Sequence, residues 1–348
     1  MNTANDKLAD WRDIAAEYLP RGGIVGALLA VIGLYLLITV LMGMYWSASP
    51  SGFNVQELTA ELVVEEGGTV VTGSATTATL IGVMETLLEK PGGFQRNDRF
   101  PPGVWLDNMP NWEYGALIQS RDLARALREV FSRSQSQSTE DKDLAQAEPN
   151  FNFNAESWIF PASESEYRSG LEYARRYFRR LSDTQSPEAQ FFARADNLAY
   201  WLATVETRLG SLSQRLSASV GQERVNTDLA GDDVATQSTR TPDERLVRTP
   251  MFEIDDVFYQ ARGSSWALIQ FLKAAEVDFA EVLAKKNAQV SLRQIIRELE
   301  GTQDFVWSPI ILNGSGFGFV ANHSLVMASY ISRANAAIID LRELLSRG

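Results

Sequence analysis

From Gly22 to Trp46 the chain carries no charged residue, and Ile24–Tyr45 is dominated by Leu, Val, Ile, Ala and Met. A helix of that length, rising about 1.5 Å per residue, spans the roughly 30 Å of bilayer hydrocarbon. A soluble core helix normally keeps one polar face, whereas this run is apolar all round. It reads as a transmembrane helix over 22–46, with the lipid bilayer as its partner. Tyr45 and Trp46 at one end, and Trp11 and Tyr18 before the other, suit the interfacial aromatic belts.

The basic residues give the helix a direction. Lys7, Arg12 and Arg21 precede it, and the next basic residue is Lys90. Positive charge stays inside, so residues 1–21 are expected in the cytoplasm and the chain from 47 onward outside it. Ser47-Ala48-Ser49 looks like a small-residue cleavage site, but the apolar stretch exceeds the 7–15 residues usual for a cleaved leader. An uncleaved signal anchor fits better. In a Gram-negative cell that makes an inner-membrane protein with a periplasmic bulk. Gly22, Gly26 and Ala30 share four-residue spacing, which suits close helix pairing in a homodimer. Residues 5–19 can form a short interfacial helix with Leu8, Trp11, Ala15 and Tyr18 on one side.

Composition narrows the chemistry. With no cysteine, disulfides, thiolate nucleophiles and cysteine metal sites are ruled out; with one histidine, His323, so is any two-histidine site. No metal or cofactor is expected. The net charge of -12 argues against nucleic acid or anionic lipid headgroups as main partners.

The rest of the chain is patterned for helices. Phe191, Ala195, Leu198, Leu202, Val205, Leu209, Leu212 and Leu216 alternate spacings of four and three. Similar stripes run from Ile254 to Val282, Met327 to Leu345 and Tyr167 to Leu181. Such heptad stripes favour shallow helix crossings. Four of them in one chain can satisfy each other, so a mainly α periplasmic bundle is expected. The stripes beginning at Phe191 and Ile254 are expected to pair as an antiparallel hairpin. Residues 47–74 read as a linker with a short strand at Glu61–Glu65, and 75–348 as the helical domain. Helices are expected over Thr76–Lys90, Glu113–Arg133 and from about Ser291 to Gly301, with a Pro- and aromatic-rich loop from Phe94 to Trp112. The polar segments 134–150 and 221–250 read as flexible loops. Phe305–Leu312 and Phe317–Val320, around Asn313-Gly314-Ser315-Gly316, look like a small β-hairpin.

Candidate binding chemistry concentrates in 101–115, PPGVWLDNMPNWEYG. Trp105 and Trp112 beside Asp107, Asn108 and Glu113 are a combination that can hold a sugar, ring face on C–H groups and polar groups on hydroxyls. The plainer reading is a rigid loop plugging the bundle, with Asp or Asn capping the next helix. Glu85, Glu89, Asp98, Asp107 and Glu113 offer carboxylate pairs, as 44 acidic residues would by chance. His323 lacks an identifiable nucleophile and reads as a capping or packing residue. The glycines of 313–318 lack the Lys-Ser/Thr of a phosphate loop. The run Arg175-Arg176-Tyr177-Phe178-Arg179-Arg180 can meet an anionic partner or neighbouring acids. No residue is nominated as catalytic.

TTATLIGVMETLLEKPGG (76–93), PPGVWLDNMPNWEYG (101–115), SRSQSQSTED (132–141) and SESEYRSGLEYARRYF (163–178) together resemble an uncharacterised proteobacterial family, a domain of unknown function. The resemblance implies a Gram-negative source and a membrane-anchored envelope protein, and carries no activity or site residue with it. Two functions follow as expectations. One is a non-enzymatic scaffold or interaction protein of the cell envelope, with other envelope proteins as partners. The other is an enzyme or binder of cell-wall glycan or a lipid-linked precursor, acting through 101–115.

Overall fold

The computed structural model describes residues 23–134, 139–185, 188–225, 244–308, 310–315 and 317–347. The expected interfacial helix over 5–19 and the cytoplasmic segment 1–21 lie outside them. Among the described residues there are eleven α-helices and one two-stranded antiparallel sheet. The first helix, α1 (Gly23–Trp46), is long and apolar enough to cross a membrane, and nearly all its side chains are exposed. Only Thr39 and Gly43, one turn apart on one face, are buried among its described residues.

The other helices are α2 (Val55–Glu65), α3 (Ser74–Glu89), α4 (Asn108–Ala126), α5 (Leu144–Phe151) and α6 (Ser163–Ser182), then α7 (Ala195–Ser217), α8 (Ile254–Asp278), α9 (Ala280–Lys285), α10 (Gln289–Glu300) and α11 (His323–Ser346). A single π turn, Leu127–Phe131, prolongs α4. The apolar stripes face inward as their spacing requires: Leu198, Leu202, Val205 and Leu209 of α7 and Ile331, Ala334, Ile338 and Leu341 of α11 are all sealed.

The pairing of these stripes differs from the hairpin expected. α7 packs along α11, antiparallel, with Ser213 Oγ 2.5 Å from Ser332 Oγ and Arg342 paired to Glu206. α8 packs along α4 instead, and in parallel: Asn111 donates to Asp256 near the two starts, and Phe131 meets Phe279 near the two finishes. Two glycines explain the choice. A Cβ at Gly115 would fall 2.0 Å from the Gln260 carbonyl oxygen, and one at Gly263 would fall 1.9 Å from that of Trp112. Backbone therefore lies on backbone at this crossing, and Ser264 Oγ donates to the Gly115 carbonyl at 3.1 Å.

Other expectations need correcting. The linker 47–74 contains α2 rather than a strand at Glu61–Glu65; Asn54 caps it, its Oδ1 accepting from the Gln56 N–H at 3.0 Å. Segment 134–150 is not all loop, because Asp141 accepts from Asp143 and Leu144 N–H groups and starts α5, which buries Leu144, Ala147 and Phe151. The sheet lies in 221–250, as β1 (Gln222–Val225) against β2 (Glu244–Val247), while residues 226–243 lie outside the described ones. Around 305–322, where the hairpin was expected, there is one isolated bridge, Asn313 to Asn322. Asn322 serves α11 more than a sheet: its Oδ1 accepts from Leu325 N–H and its amide bonds Asn313 and Gly314.

The up-and-down order gives the bundle two distinct ends. At one end lie the starts of α4, α6, α8 and α11 and the finishes of α3, α7 and α10. Lys90 meets Glu113, Asn97 meets Glu164, Arg262 meets Gln303, and Ser219 meets Asn322 there. At the other end Asp278 reaches Gly73 and Thr76, Arg175 reaches Glu65, and Arg293 reaches Glu276.

Candidate functional site

Helix α4 begins at Asn108, so the expected loop Phe94–Trp112 is shorter than its prolines suggested, and the five candidate residues separate. Asp107 caps the helix, its carboxylate accepting from the Asn108 N–H at 2.8 Å. Trp112 and Glu113, one turn in, point into the core with no exposed surface, Trp112 lying against Trp266 at 5.0 Å between ring centroids. Trp105 faces out, 56% exposed. Only Trp105, Asp107 and Asn108 therefore remain near solvent.

The carboxylates do not converge. Glu113 accepts from Lys90 Nζ at 2.6 Å and from the Gln95 and Arg96 N–H groups; burial still outweighs these partners and raises its pKa to about 7. Glu85 is held by Arg175 at 2.5 Å. Burial raises Asp98, with the nearby Glu164 carboxylate adding to the shift. The arginine cluster is likewise used internally: Arg175 and Arg179 bind Glu66, and Arg180 binds Asp141 and Asp143, while Tyr177 and Phe178 are core residues. His323 packs against Phe258, and its Nδ1 accepts from the Leu312 N–H at 3.1 Å. Among the described residues no group of three His, Cys, Asp or Glu could hold a metal ion.

What the 91–107 segment does instead is clasp α1. A Cβ at Gly43 would sit 3.6 Å from Pro102 Cβ and 3.7 Å from Leu106 Cδ2, ordinary contact distances, so the loop rests on that face. Lower down, Gly92 (φ +86°) lies so close beneath the Trp46 indole that a Cβ there would fall 2.6 Å from its Cδ2. Gln95 Nε2 also donates to the Trp46 carbonyl at 3.4 Å. Gly43 lies three residues inside the helix from Trp46, about 4.5 Å along its axis. The loop thus climbs alongside the apolar helix rather than stopping at its end.

Exposed aromatic residues gather at this same end. Phe100 and Trp158 meet edge to face at 5.6 Å, and Val104, Trp105, Ile159 and Phe160 stand exposed in the same two loops, Phe160 at 91%. Phe252, Phe305, Trp307, Phe317 and Phe319 are exposed in the other connections at that end. Tyr200 apart, every exposed aromatic outside α1 among the described residues belongs to this set. Among the described residues the opposite end exposes aliphatics such as Val64, Val70, Val277 and Val290. Sequence reading found Trp105 and passed over the others, although the run Trp158-Ile159-Phe160-Pro161, apolar with no helical neighbour to pair it, was visible.

A family model described as an uncharacterized protein conserved in bacteria (DUF2333) matches residues 20–348. No curated protein and no solved structure matches the chain.

Proposed function

We propose that the chain, which belongs to the uncharacterised bacterial family DUF2333, is a non-enzymatic envelope protein that rests one end of a helical bundle on the membrane that anchors it. In this reading α1 is an uncleaved signal anchor in the inner membrane, residues 1–21 are cytoplasmic, and the bundle is periplasmic. The clasp of Pro102 and Leu106 on Gly43 carries the reading. If α1 spans the bilayer with Trp46 at the interface, this loop sits at headgroup depth, and Trp105, Phe100 and Phe160 meet lipid beside it. Aromatic rings favour that layer, where an apolar face and a wet edge are both accommodated. The attachment is not electrostatic, since the chain's net charge is -12 and anionic headgroups would repel it.

The stripes of the bundle are consumed internally, so a protein partner would dock elsewhere than on an open heptad face. The acidic side chains that could have served acid–base chemistry, Glu85, Asp107 and Glu113, each have a structural partner. Glycan recognition through 101–115 would keep only Trp105, Asp107 and Asn108 of its five residues. A cell-based crosslink tests the reading: benzoylphenylalanine in place of Phe160, irradiated in intact cells. Recovery of lipid-modified chain supports it. Crosslinks solely to a periplasmic protein would replace the lipid surface with a protein-docking face.

A further inference from the structure

At the anchor end, between the start of α11, the first turns of α8 and the connection 301–312, lies a cleft of about 440 Å³, within the size range of small-molecule sites. Phe258, Leu312, Met327 and Tyr330 make its walls. Phe305 and Trp307 stand at its rim, edge to face at 5.0 Å and exposed by 74% and 91%. Nothing in the described chain covers that pair.

One cation enters this apolar space. Arg262, half-buried on α8, donates from Nη1 to the Asp304 carbonyl at 2.9 Å and from Nη2 to the Gln303 carbonyl at 2.7 Å. Those bonds use two of the five N–H donors of a guanidinium. Arg262 forms no ion pair among the described residues, and burial pushes its pKa down. Asp304 also lines the cleft; its carboxylate favours the charged guanidinium from beyond ion-pairing distance. Arg121 too is held by backbone carbonyls, those of Phe151 and Phe153, whereas Arg175, Arg180 and Arg208 pair with acids at 2.5–2.7 Å. Arg262 is instead fixed by carbonyls, which hold its orientation without neutralising it. His323 also lines the wall. Its Nδ1 is occupied by the Leu312 N–H, which places the proton of the neutral ring on Nε2, as a further donor.

An apolar trough with a fixed guanidinium that makes no ion pair, and a second donor, is complementary to an apolar chain ending in a compact oxyanion. We infer that this cleft binds a single anionic amphiphile, its hydrocarbon chain along Phe258, Met327 and Tyr330 and its oxyanion on Arg262. A long-chain carboxylate and the phosphate of a lipid share this chemistry. Arg262 acts as a forked donor to the oxyanion, and charge-assisted bonds of this kind in a poorly hydrated site are the strong ones. The site goes beyond the membrane-resting role, because it would bind a single chain whether or not Phe160 meets lipid.

The test uses the full-length protein in nanodiscs of zwitterionic phosphatidylcholine and a photoreactive C16 carboxylate carrying a terminal diazirine. Peptide mapping is expected to place saturable labelling in 305–330. Palmitate or lysophosphatidate should displace the probe at concentrations about tenfold below those needed with hexadecanol, which has the chain without the charge. Displacement by palmitate alone identifies a free carboxylate, and displacement by lysophosphatidate alone a lipid phosphate. Arg262→Gln should reduce labelling about tenfold. Met327→Trp, which fills the trough and leaves Arg262 in place, should abolish it; this second variant decides the matter if Arg262→Gln loosens the 303–304 loop. Equal displacement by hexadecanol and palmitate would overturn the inference. So would undiminished labelling of Met327→Trp, or labelling spread over all the exposed aromatics.

Discussion

Lys90 Nζ lies 2.6 Å from Glu113 Oε1, and both side chains are sealed from solvent. The pair has further bonds: Lys90 also donates to the Gly93 carbonyl at 2.6 Å, and Glu113 also accepts from Gln95 and Arg96 N–H groups at 2.9 Å. It fixes the turn after α3 to the start of α4, and so sets the height of the loop that clasps α1. Removing one partner strands a buried charge. Glu113→Ala and Lys90→Met should each cost about 3–5 kcal/mol, and the double variant Lys90→Met/Glu113→Leu much less than their sum. Chemical denaturation of the four proteins measures the cycle; additive losses would show that the two groups do not act as a pair.

The same carboxyl makes stability depend on pH in an unusual sense. Its folded pKa, about 7, lies above the ordinary 4.5, chiefly through burial. Between those values the folded chain holds a proton that the unfolded chain releases. Stability from this group is therefore full below about pH 4.5, falls as pH rises to about 7 and then levels off. Relative to Glu113→Gln, whose amide does not titrate there, the wild-type protein should lose about 3 kcal/mol across the window. Melting curves of both at pH 4.5 and pH 8 check this, and parallel behaviour would contradict it.

Helices α4 and α8 approach closely only because Gly115 and Gly263 lack side chains. Gly263→Ala places a Cβ against the Trp112 carbonyl and should lower stability by about 1–3 kcal/mol through overpacking. Gly26→Ala on α1, with nothing within 4 Å, should change it by a few tenths at most. Thermal unfolding in nanodiscs separates the two.

Asp278, the last residue of α8, caps a helix far from it in sequence. Its carboxylate accepts from the Gly73 N–H at 2.8 Å and from Thr76 N–H and Oγ1 at 2.6 and 2.7 Å, serving the start of α3, where the capping glycine has no side chain. Asp278→Ala should cost about 2 kcal/mol, and Asp278→Asn less. Hydrogen exchange should locate the loss in the first turn of α3; uniform loosening across the bundle would point to packing instead.

The long helices were legible because a stripe such as Leu198–Leu216 states both its periodicity and its burial. Their partners were not, since a stripe does not say which other stripe fills it; that was decided by the glycine contact between α4 and α8. Segment 134–150 hid α5 because its start depends on Asp141 and its burial on only Leu144, Ala147 and Phe151. Among the candidate site residues, Trp105 was found by its neighbours in one dense loop. Phe100, Trp158 and Phe160 belong to the same surface but come from two loops, and only folding brings Phe100 to Trp158. Arg262 gave no signal at all, because what marks it is a half-buried guanidinium held by two carbonyls at the wall of a cleft, which exists only in the folded chain.

The central claim is that the anchor end of the bundle lies on lipid. Since the chain has no cysteine, Trp105→Cys and Val290→Cys each create a unique labelling site, one at each end. With an environment-sensitive fluorophore on each, in the full-length protein in nanodiscs, headgroup-level nitroxide lipids should strongly quench the label at 105 and leave the label at 290 bright. Equal, weak quenching at both positions would place the aromatic end in water and contradict the account.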